Sequence, residues 1–360
     1  MTTIARVAAL AGVGVGTVSR VLNDSGAVSA ATRRRVEEAI DALGYEPSAA
    51  ARALSTGRTM SIGVVAPFLT QSSVVERLRG VARRVTEAGY RLVLLDVEQP
   101  ERVLDSVGTF AVHGRVDGLL VISLALPPGF RPGHLPVVLV DRDSDELPSV
   151  SIDDEVGGRL ATEHLLELGH TQIAFVGDVE DNPYGFDSSA QRRAGYELAL
   201  REAGITLDPA LVRTAPHGRD HARALARELL TGPTPPTAIF AASDDQALGV
   251  LEAAELMSVS VPDRLSVVGF DDLEVARYAR LTTVAQPLEA SGAHGVDLLL
   301  DALAGGSPRS ERLDCELVVR GTTAPPASEM ANAHEGKPRV RTPLLNGMMR
   351  TSRNTGGGSR

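Results

Sequence analysis

The chain has 360 residues, a formal net charge of −10, 43% hydrophobic residues, one cysteine and no tryptophan. This length and composition support two or three domains with a large core. A single cysteine, Cys315, excludes an internal disulfide and a thiolate metal cluster. No apolar run reaches the roughly 20 residues of a membrane span, and no secretion signal is expected. We therefore expect a cytoplasmic protein without a membrane partner.

The first segment predicts a helix-turn-helix. One helical face carries the apolar residues Ile4, Val7, Ala8 and Ala11. Gly12 interrupts this pattern, and a second helical pattern follows with Val15, Val18, Val21 and Leu22. Two short helices joined by a glycine turn place the second one in a DNA major groove. A third helix is predicted from the cap residue Ser29 to Gly44.

A short fourth helix, Ser48–Ser55, is expected between Pro47 and Gly57. So few residues make a marginal helix in water because nucleation is costly. We expect it to order only when DNA and a partner chain hold it. Leu54 could then insert between base steps in the minor groove; the alternative is ordinary packing between this hinge and the body.

From Ser61 onward, apolar runs alternate with helical stretches. The runs SIGVVA, RLVLLDV, GLLVIS and VVLV form a first block, in which helices are predicted at Ser73–Ala88 and Glu101–His113. The runs QIAFVG, AIFAA and LSVVGF form a second block, in which helices are predicted at Glu155–Leu168, Ser189–Ala203, His221–Leu230 and Asp245–Met257. Near-continuous apolar strands alternating with helices indicate parallel sheets covered on both faces. A last helix, Leu288–Leu303, and a strand, Arg312–Val319, complete the pattern.

Several ordered motifs resemble the lactose-repressor (LacI/GalR) family of bacterial transcription regulators. They are TIARVAALAGVGVGTVSRVLN, VSAATRRRV, ALGYEPSAAARALSTGRT and IGVVAP, and the resemblance covers roughly Thr3 to Thr322. It implies an all-α head with a hinge helix, followed by an α/β periplasmic-binding-protein-like body of two lobes with parallel sheets.

The resulting domain organisation has four parts. Residues 1–46 are expected to form the DNA-binding head, 47–60 the hinge helix and linker, 61–324 the effector-binding and dimerisation domain, and 325–360 a disordered tail. The expected lobes are about 61–154 with 287–313, and 155–286 with 314–322.

Eight residues are predicted to contact DNA. The polar groups of Thr17, Ser19 and Asn23 suit phosphates and sugar edges, and Arg20 can make a bidentate contact with guanine. Ser29 is predicted to cap the third helix and to contact a phosphate as well. The resemblance implies base reading at Val15, Gly16 and Arg20, and minor-groove insertion by Leu54. The alternative for the polar residues is an exposed helix face.

Five residues stand at positions that bind the small-molecule effector in the family, and one of them, Ser243, replaces a frequent Asn. They are Asp141, Arg192, Ser243, Asp271 and Gln286. Carboxylates, a guanidinium group and an amide suit the hydroxyl groups of a sugar or nucleoside, although each residue could instead be a helix cap or form an interlobe salt bridge. Ser73 and Val74 stand where aromatic residues often stack on a sugar, and Phe68 replaces a frequent Asp. We therefore expect a cleft less typical of sugar binding.

Charge is distributed unevenly along the chain. Residues 1–60 have a net charge of +2, residues 325–360 have +4, and the segment between them has −16. This asymmetry suits a small DNA-reading head on an acidic body. The expected protein is a homodimeric repressor of a near-palindromic operator, and its expected effector is a carbohydrate.

Two other functions are compatible with parts of the sequence. One is a cytoplasmic small-molecule-binding protein that acts without DNA. The other is a cleft enzyme using the paired residues Asp153–Asp154, Asp244–Asp245 and Asp271–Asp272. Adjacent residues do not face each other on a helix, and Asp at a helix start more often caps it. The sequence also lacks phosphate-loop and metalloprotease motifs. No enzyme activity, metal or cofactor is therefore expected.

Overall fold

The computed structural model describes residues 3–45, 58–97, 99, 107–108, 115–126, 129–182 and 184–327. The predicted hinge helix Ser48–Ser55 with Leu54, most of the predicted helix Glu101–His113, and the tail beyond residue 327 lie outside these described residues.

The head contains the three predicted helices, α1 (Ile4–Ala11), α2 (Val15–Leu22) and α3 (Ala30–Leu43). The chain turns by 103° between α1 and α2, an angle typical of a helix-turn-helix. Gly12 ends α1 with a φ of 66°, a left-handed conformation that glycine adopts without steric cost. The three helices enclose a core of Val7, Ala8, Ala11, Val18, Val21, Val36, Ala39 and Tyr45.

The first lobe is built on a six-stranded parallel sheet with the order β11-β5-β4-β3-β1-β2. Its strands are β1 (Ser61–Ala66), β2 (Arg91–Asp96), β3 (Gly118–Ile122), β4 (Val137–Val140), β5 (Ser149–Ile152) and β11 (Glu311–Leu313). Helix α4 (Ser72–Glu87) and helix α10 (Leu288–Leu303) pack against each other in this lobe. The strands β1, β3 and β4 are buried throughout.

The second lobe has a six-stranded sheet with the order β12-β10-β9-β8-β6-β7, parallel except for β12. Its strands are β6 (Ile173–Asp178), β7 (Val212–Ala215), β8 (Ala238–Ala241), β9 (Ser266–Asp271), β10 (Thr282–Ala285) and β12 (Glu316–Val318). Its helices are α5 (Asp154–Glu167), α6 (Ser188–Glu202), α7 (Arg219–Thr231), α8 (Asp244–Leu256) and α9 (Glu274–Tyr278). The chain crosses between the sheets after β5, after β10 and after β11.

Two glycines bring α5 and α6 into close contact. A Cβ atom on Gly158 would lie 2.0 Å from the carbonyl oxygen of Arg192, and one on Gly195 would lie 2.0 Å from that of Glu155. Only glycine allows the helix backbones to approach this closely. The contact holds Arg192 of α6 beside Asp154 at the start of α5.

The structure corrects several element assignments. The expected strand Arg312–Val319 is two three-residue strands, β11 and β12, which belong to different sheets. The sequence reading also omitted β5, β7 and β10, which have only four residues each. Strand β2 is partly exposed because it is an edge strand of the first sheet, although its apolar sequence predicts burial.

No helix in the described part of the chain is long and apolar enough to span a membrane by itself. The bent pair α1 and α2 meets that criterion only when the two are taken together.

Candidate functional site: a cleft between the lobes and a DNA-reading head

A cavity of about 650 Å³ lies between the two lobes. It opens where strands of both sheets end, which is where parallel α/β sheets usually bind ligands. All five predicted effector residues, Asp141, Arg192, Ser243, Asp271 and Gln286, line this one cavity. The structure therefore brings together residues that are up to 145 positions apart in the sequence.

Strand ends and helix starts present these residues to the cavity. Asp141 follows β4, Asp271 is the last residue of β9, and Gln286 follows β10. Ser243 is the N-cap of α8, where its hydroxyl accepts a hydrogen bond from the Gln246 backbone N–H at 3.2 Å. Ser243 therefore caps a helix, which is the alternative role given for these residues, and also lines the cavity.

A buried polar network forms the floor of the cleft. Arg77 of α4 donates from Nη2 to Asp141 and, at 2.8 Å, to Oε1 of Gln286. Gln286 in turn donates from Nε2 to Asp271. Asp141 also accepts a hydrogen bond from the Ser123 hydroxyl at 2.6 Å. The network thus connects the first lobe with the end of β9 in the second.

Arg192 is held on three sides within the second lobe. Its Nε donates to Asp154 at 2.7 Å, its Nη1 donates to the carbonyl oxygen of Ala242 at 2.6 Å, and its guanidinium lies 3.6 Å from the ring centroid of Phe270. Burial raises the pKa of Asp154 to about 6, against the opposing charge of Arg192. Burial also raises the pKa of Asp271, although the same guanidinium lowers it.

Several backbone positions at the cleft have positive φ angles. Phe68, Ser123, Asp141 and Asp271 have φ angles of 47°, 58°, 67° and 121°, and all four line the cavity. Non-glycine residues rarely adopt such conformations, which cluster at functional sites where the surrounding structure stabilises them. The packed strands therefore hold these side chains in fixed directions towards the cleft.

A histidine–aspartate pair lies on the second-lobe side of the cleft. His217 Nδ1 lies 3.1 Å from Oδ1 of Asp178, which also accepts a hydrogen bond from Nε2 of Gln246 at 2.8 Å. Burial lowers the pKa of His217, but the hydrogen bond and charge of Asp178 outweigh this effect and raise it overall. The pair places a titratable group against the ligand cavity.

Sequence reasoning missed two groups of cleft residues. The first is Arg77, which the helical pattern could have revealed because it shares the buried face of α4 with Val74 and Val81. The second is the pair Tyr184 and Phe186, which forms an aromatic cluster in the cavity with Phe68. Val74 is buried, and the aromatic rings that line the cavity come from other positions. The expectation of a cleft less typical of sugar binding stays a prediction.

Three of the paired aspartates have structural roles. Asp153 caps α5 by accepting from the Val156 backbone N–H at 2.9 Å. Asp272 pairs with Arg320 at 2.6 Å. Asp244 is fully buried and accepts from Thr283 and from the Leu273 backbone N–H. Burial and the nearby charge of Asp271 raise the pKa of Asp244 to about 8. Among the described residues, no group of three His, Cys, Asp or Glu side chains could hold a metal ion.

The predicted DNA contacts lie mainly on α2. Val15, Gly16 and Arg20 are exposed, while Thr17, Ser19 and Asn23 are partly exposed. Asn23 donates to the Ser19 hydroxyl at 3.3 Å. Ser29, also exposed, caps α3 by accepting from the Thr32 backbone N–H at 3.2 Å. The side chains of α2 that are buried, Val18 and Val21, fix it on the head core.

Comparison with known proteins identifies the family. The profile "Bacterial regulatory proteins, lacI family" matches residues 3–48, and the profile "Periplasmic binding protein-like domain" matches residues 162–323. The ribose operon repressor of Escherichia coli K12 is 33% identical over 337 residues, which cover 89% of this chain and 100% of that protein. The chain belongs to the LacI family of bacterial regulatory proteins.

Solved structures support the same conclusion for this LacI-family regulator. A complex of the regulator CelR with cellobiose is 33% identical, with a TM-score of 0.66, over 89% of this chain and all of that chain. The Lac repressor dimer bound to operator and the anti-inducer ONPF is 30% identical, with a TM-score of 0.79, over 90% and 99% of the two chains. These relatives are a transcriptional regulator and a repressor.

The predicted family and fold class are thus confirmed. The predicted function, a DNA-binding transcriptional regulator of the repressor type controlled by a small-molecule effector, is confirmed at the level of the family.

Proposed function

We propose that this LacI-family regulator is a repressor whose affinity for its operator is set by a carbohydrate or related polyhydroxylated metabolite. The observation that carries the proposal is the convergence of Asp141, Arg192, Ser243, Asp271 and Gln286 on one cavity between the lobes. The names of the relatives agree with this ligand class, since one structure contains cellobiose and another relative is a ribose operon repressor.

The charges in the cleft favour an uncharged ligand. Six carboxyl groups line the cavity, against the guanidinium groups of Arg77 and Arg192. Both arginines are already paired, with Asp141 and Asp154 respectively. A phosphorylated or carboxylated ligand would therefore meet excess negative charge, whereas ligand hydroxyls can donate to the carboxylates.

The effector acts by shifting an equilibrium between two lobe arrangements. The cavity is lined from both lobes, so a ligand that fits the closed arrangement binds it more tightly and increases its population. Operator and effector are then linked, because each changes the affinity of the other by the same factor. An inducer favours the arrangement that weakens DNA binding, and a corepressor favours the opposite one.

The head reads DNA through α2. Arg20 supplies the bidentate base contact, and the exposed Val15 can meet a thymine methyl group. The phosphates and sugars are contacted by Thr17, Ser19, Asn23 and Ser29. Gly16, which has no side chain, allows the backbone to approach the DNA closely. In this proposal residues 1–46 form the head, and 47–60 form a hinge in which Leu54 enters the minor groove. The Leu54→Ala variant is expected to weaken operator binding.

Two such heads would read the halves of a near-palindromic operator. The second lobe exposes large apolar side chains, Leu256, Val275, Tyr278 and Val319, of the kind that mark protein interfaces when they cluster. The similar Lac repressor structure is a dimer. We infer a cytoplasmic homodimer formed by the body, residues 61–324, with lobes of about 61–154 with 287–313 and 155–286 with 314–322.

Fluorescence anisotropy of the full chain on labelled DNA from upstream of its own gene tests the proposal. Cellobiose, ribose and adenosine are added in turn, with an unrelated fragment as the control DNA. Specific binding that one of them changes is expected, and Asp141→Asn should weaken this response. Asp145→Asn, an exposed neighbour, should leave it unchanged.

Three results would contradict the proposal. Specific DNA binding that no sugar or nucleoside changes would contradict the ligand class. Failure to bind any fragment of the source genome, with ligand binding intact, would favour a small-molecule-binding protein that acts without DNA. An equal response of the two Asn variants would contradict the role of Asp141.

A further inference from the structure

Arg77 reaches the cleft floor from a tightly packed helix of the first lobe. A Cβ atom on Gly80 would overlap the carbonyl oxygen of Glu289, and one on Gly292 would overlap that of Arg77 itself. Only glycine lets the backbones of α4 and α10 approach this closely. The backbone of Arg77 is therefore held in place, and its guanidinium enters the floor from a defined position.

The guanidinium of Arg77 uses only part of its hydrogen-bonding capacity. An arginine has five N–H donors. Both hydrogen bonds that Arg77 makes with described residues leave from Nη2, one to Asp141 and one, at 2.8 Å, to Oε1 of Gln286. Nη1 donates to none of the described residues, and Nε is buried without an acceptor among them. Unused donors thus remain on a side chain that lines the cavity.

The second guanidinium of the cleft, that of Arg192, differs from Arg77 in this respect. Its Nε and Nη1 both have oxygen acceptors, at 2.7 Å and 2.6 Å. Within the described part of the chain, Nε of Arg77 is the only buried side-chain nitrogen or oxygen without a partner. Native proteins leave few such groups, since each has lost its hydration without compensation. An acceptor supplied by a ligand in the adjoining cavity would compensate Arg77.

The acceptor atoms around Arg77 already have donors. Oδ1 of Asp141 and Oε1 of Gln286 accept from Arg77, and Oδ2 of Asp141 accepts from the Ser123 hydroxyl at 2.6 Å. A ligand hydroxyl beside Arg77 would have to place its own proton among these occupied acceptors. A carbonyl oxygen brings lone pairs and no proton. This part of the floor is therefore suited to a carbonyl group.

We propose that Arg77 selects effectors that carry a carbonyl oxygen, which accepts a hydrogen bond from its free N–H groups. The ligand class is an uncharged polyhydroxylated molecule with a carbonyl group, either in a lactone ring or in an acetamido substituent. Arg77 keeps its bonds to Asp141 and Gln286 and gains the missing acceptor. This inference rests on the proposed effector function of the cleft and adds the chemical group that the first-lobe side recognises.

The second-lobe side of the cavity has the opposite character. It is lined by the carboxylates of Asp178, Glu180, Asp181 and Asp245, which accept hydrogen bonds from ligand hydroxyls. The carbonyl group of the effector then points to Arg77, and its hydroxyl groups point to the second lobe. A ligand held in this way bridges both lobes, so it stabilises one lobe arrangement selectively.

The test compares molecules with and without a carbonyl group. Ribose is paired with ribono-1,4-lactone, and glucose with N-acetylglucosamine, and binding to the full chain is measured by calorimetry. In one pair the wild type is expected to bind the carbonyl member roughly ten- to 150-fold more tightly, the range for a hydrogen bond to a charged group. The pair that shows this preference distinguishes a lactone carbonyl from an acetamido carbonyl.

Arg77→Lys is the test variant, because lysine keeps the positive charge beside Asp141 but lacks the guanidinium donors. Its ratio of affinities for the two members of the pair should fall close to one. Arg79→Lys is the matched control on the same helix, since Arg79 is exposed and pairs with Glu76; this variant should keep the wild-type ratio. Thermal unfolding verifies that each variant folds, and the wild-type ratio tests the proposal even without a folded Lys variant.

Two further measurements make the test more specific. The infrared carbonyl stretch of the bound, ¹³C-labelled ligand should move to lower frequency in the wild type, because a hydrogen bond weakens the C=O bond, and this shift should be absent in Arg77→Lys. Ribonate, the hydrolysed lactone, carries a carboxylate that the acids of the second-lobe side repel. It should therefore bind more weakly than the lactone.

The outcomes separate this inference from the function on which it rests. If sugars bind but the wild type prefers neither carbonyl member, or Arg77→Lys keeps the preference, Arg77 does not select a carbonyl group and the effector function stands. Tighter binding of ribonate than of the lactone would overturn the uncharged ligand class of this inference. If none of these molecules binds, the carbohydrate effector is contradicted, and the inference with it.

Discussion

Arg77 donates a hydrogen bond of 2.8 Å to Gln286, and this bond joins a helix of the first lobe to the segment that leaves the second. The guanidinium of Arg77 is almost completely buried, with 3% of its side chain exposed. A buried charge is stable only where partners compensate for its lost hydration. Arg77 is therefore a structural requirement of the cleft floor as well as part of its lining.

Arg77→Ala is expected to destabilise the protein by about 3–5 kcal/mol, the usual cost of removing one partner of a buried ion pair. Asp141 would lose its counter-ion, and Gln286 would lose a donor. The matched control is Arg79→Ala on the same helix, whose side chain is 59% exposed and should contribute less than about 1 kcal/mol. Equal shifts in the midpoints of urea unfolding for the two variants would contradict this account.

Asp244 should make stability depend on pH. Its folded pKa of about 8 lies above the usual value of 3.8, so the folded state holds a proton that the unfolded state has lost. This group therefore reduces stability as pH rises from 4 to 8, by up to about 1.4 kcal/mol per pH unit, and has no further effect above 8. Asp244→Asn removes this dependence of stability on pH.

The measurement is the unfolding free energy of wild type and Asp244→Asn at several pH values from 5 to 9. The unfolding free energy of Asp244→Asn minus that of the wild type should increase up to about pH 8 and then remain constant. Asp263→Asn, in an exposed loop, is the control and should track the wild type. A difference that does not change with pH would show that Asp244 is ionised in the folded protein throughout this range.

His217 should titrate under the influence of Asp178. Because the hydrogen bond and charge of Asp178 raise the pKa of His217, the pair contributes stability that is fully present below the unfolded value of about 6.5. That contribution is lost as pH rises through the folded value. In Asp178→Asn the pKa of His217 should fall below that of the wild type.

An NMR titration of the histidine ring protons measures this, with His217→Gln used to assign the signal. Asp220→Asn is the control, since Asp220 is exposed on α7 and pairs with Arg223. The same His217 pKa in wild type and Asp178→Asn would exclude Asp178 as the cause.

Arg20→Ala should weaken specific operator binding. The loss of one bidentate base contact costs about 1–3 kcal/mol, which corresponds to roughly five- to 150-fold in affinity. Binding to unrelated DNA should fall less, because it depends on phosphates and not on base identity. Arg201→Ala, an exposed arginine of the body, should change neither. An equal loss of affinity for the operator and for unrelated DNA would show that Arg20 contacts a phosphate and not a base.

Local sequence patterns predicted the head almost completely. The glycine at position 12, the cap Ser29 and the apolar spacing of Val7, Val18 and Val36 act within a few residues of one another, so periodicity and capping preferences suffice to define three helices.

In the body, the long buried runs of β1, β3 and β9 were equally clear. Short strands that contain polar residues, such as β7 with the sequence VRTA, lack the apolar run that identified β4 and β8. They form because neighbouring strands offer hydrogen-bonding partners.

The cleft depended far more on tertiary structure. Asp141, Arg192 and Asp271 were singled out through family resemblance, and nothing in their spacing places them around one cavity. The sequence determined which residues end strands and cap helices, since those features are set by local backbone preferences. Only the tertiary structure decided that Arg77 faces Gln286 and that Tyr184 meets Phe68, because these contacts join segments of the chain whose approach depends on how the two sheets pack.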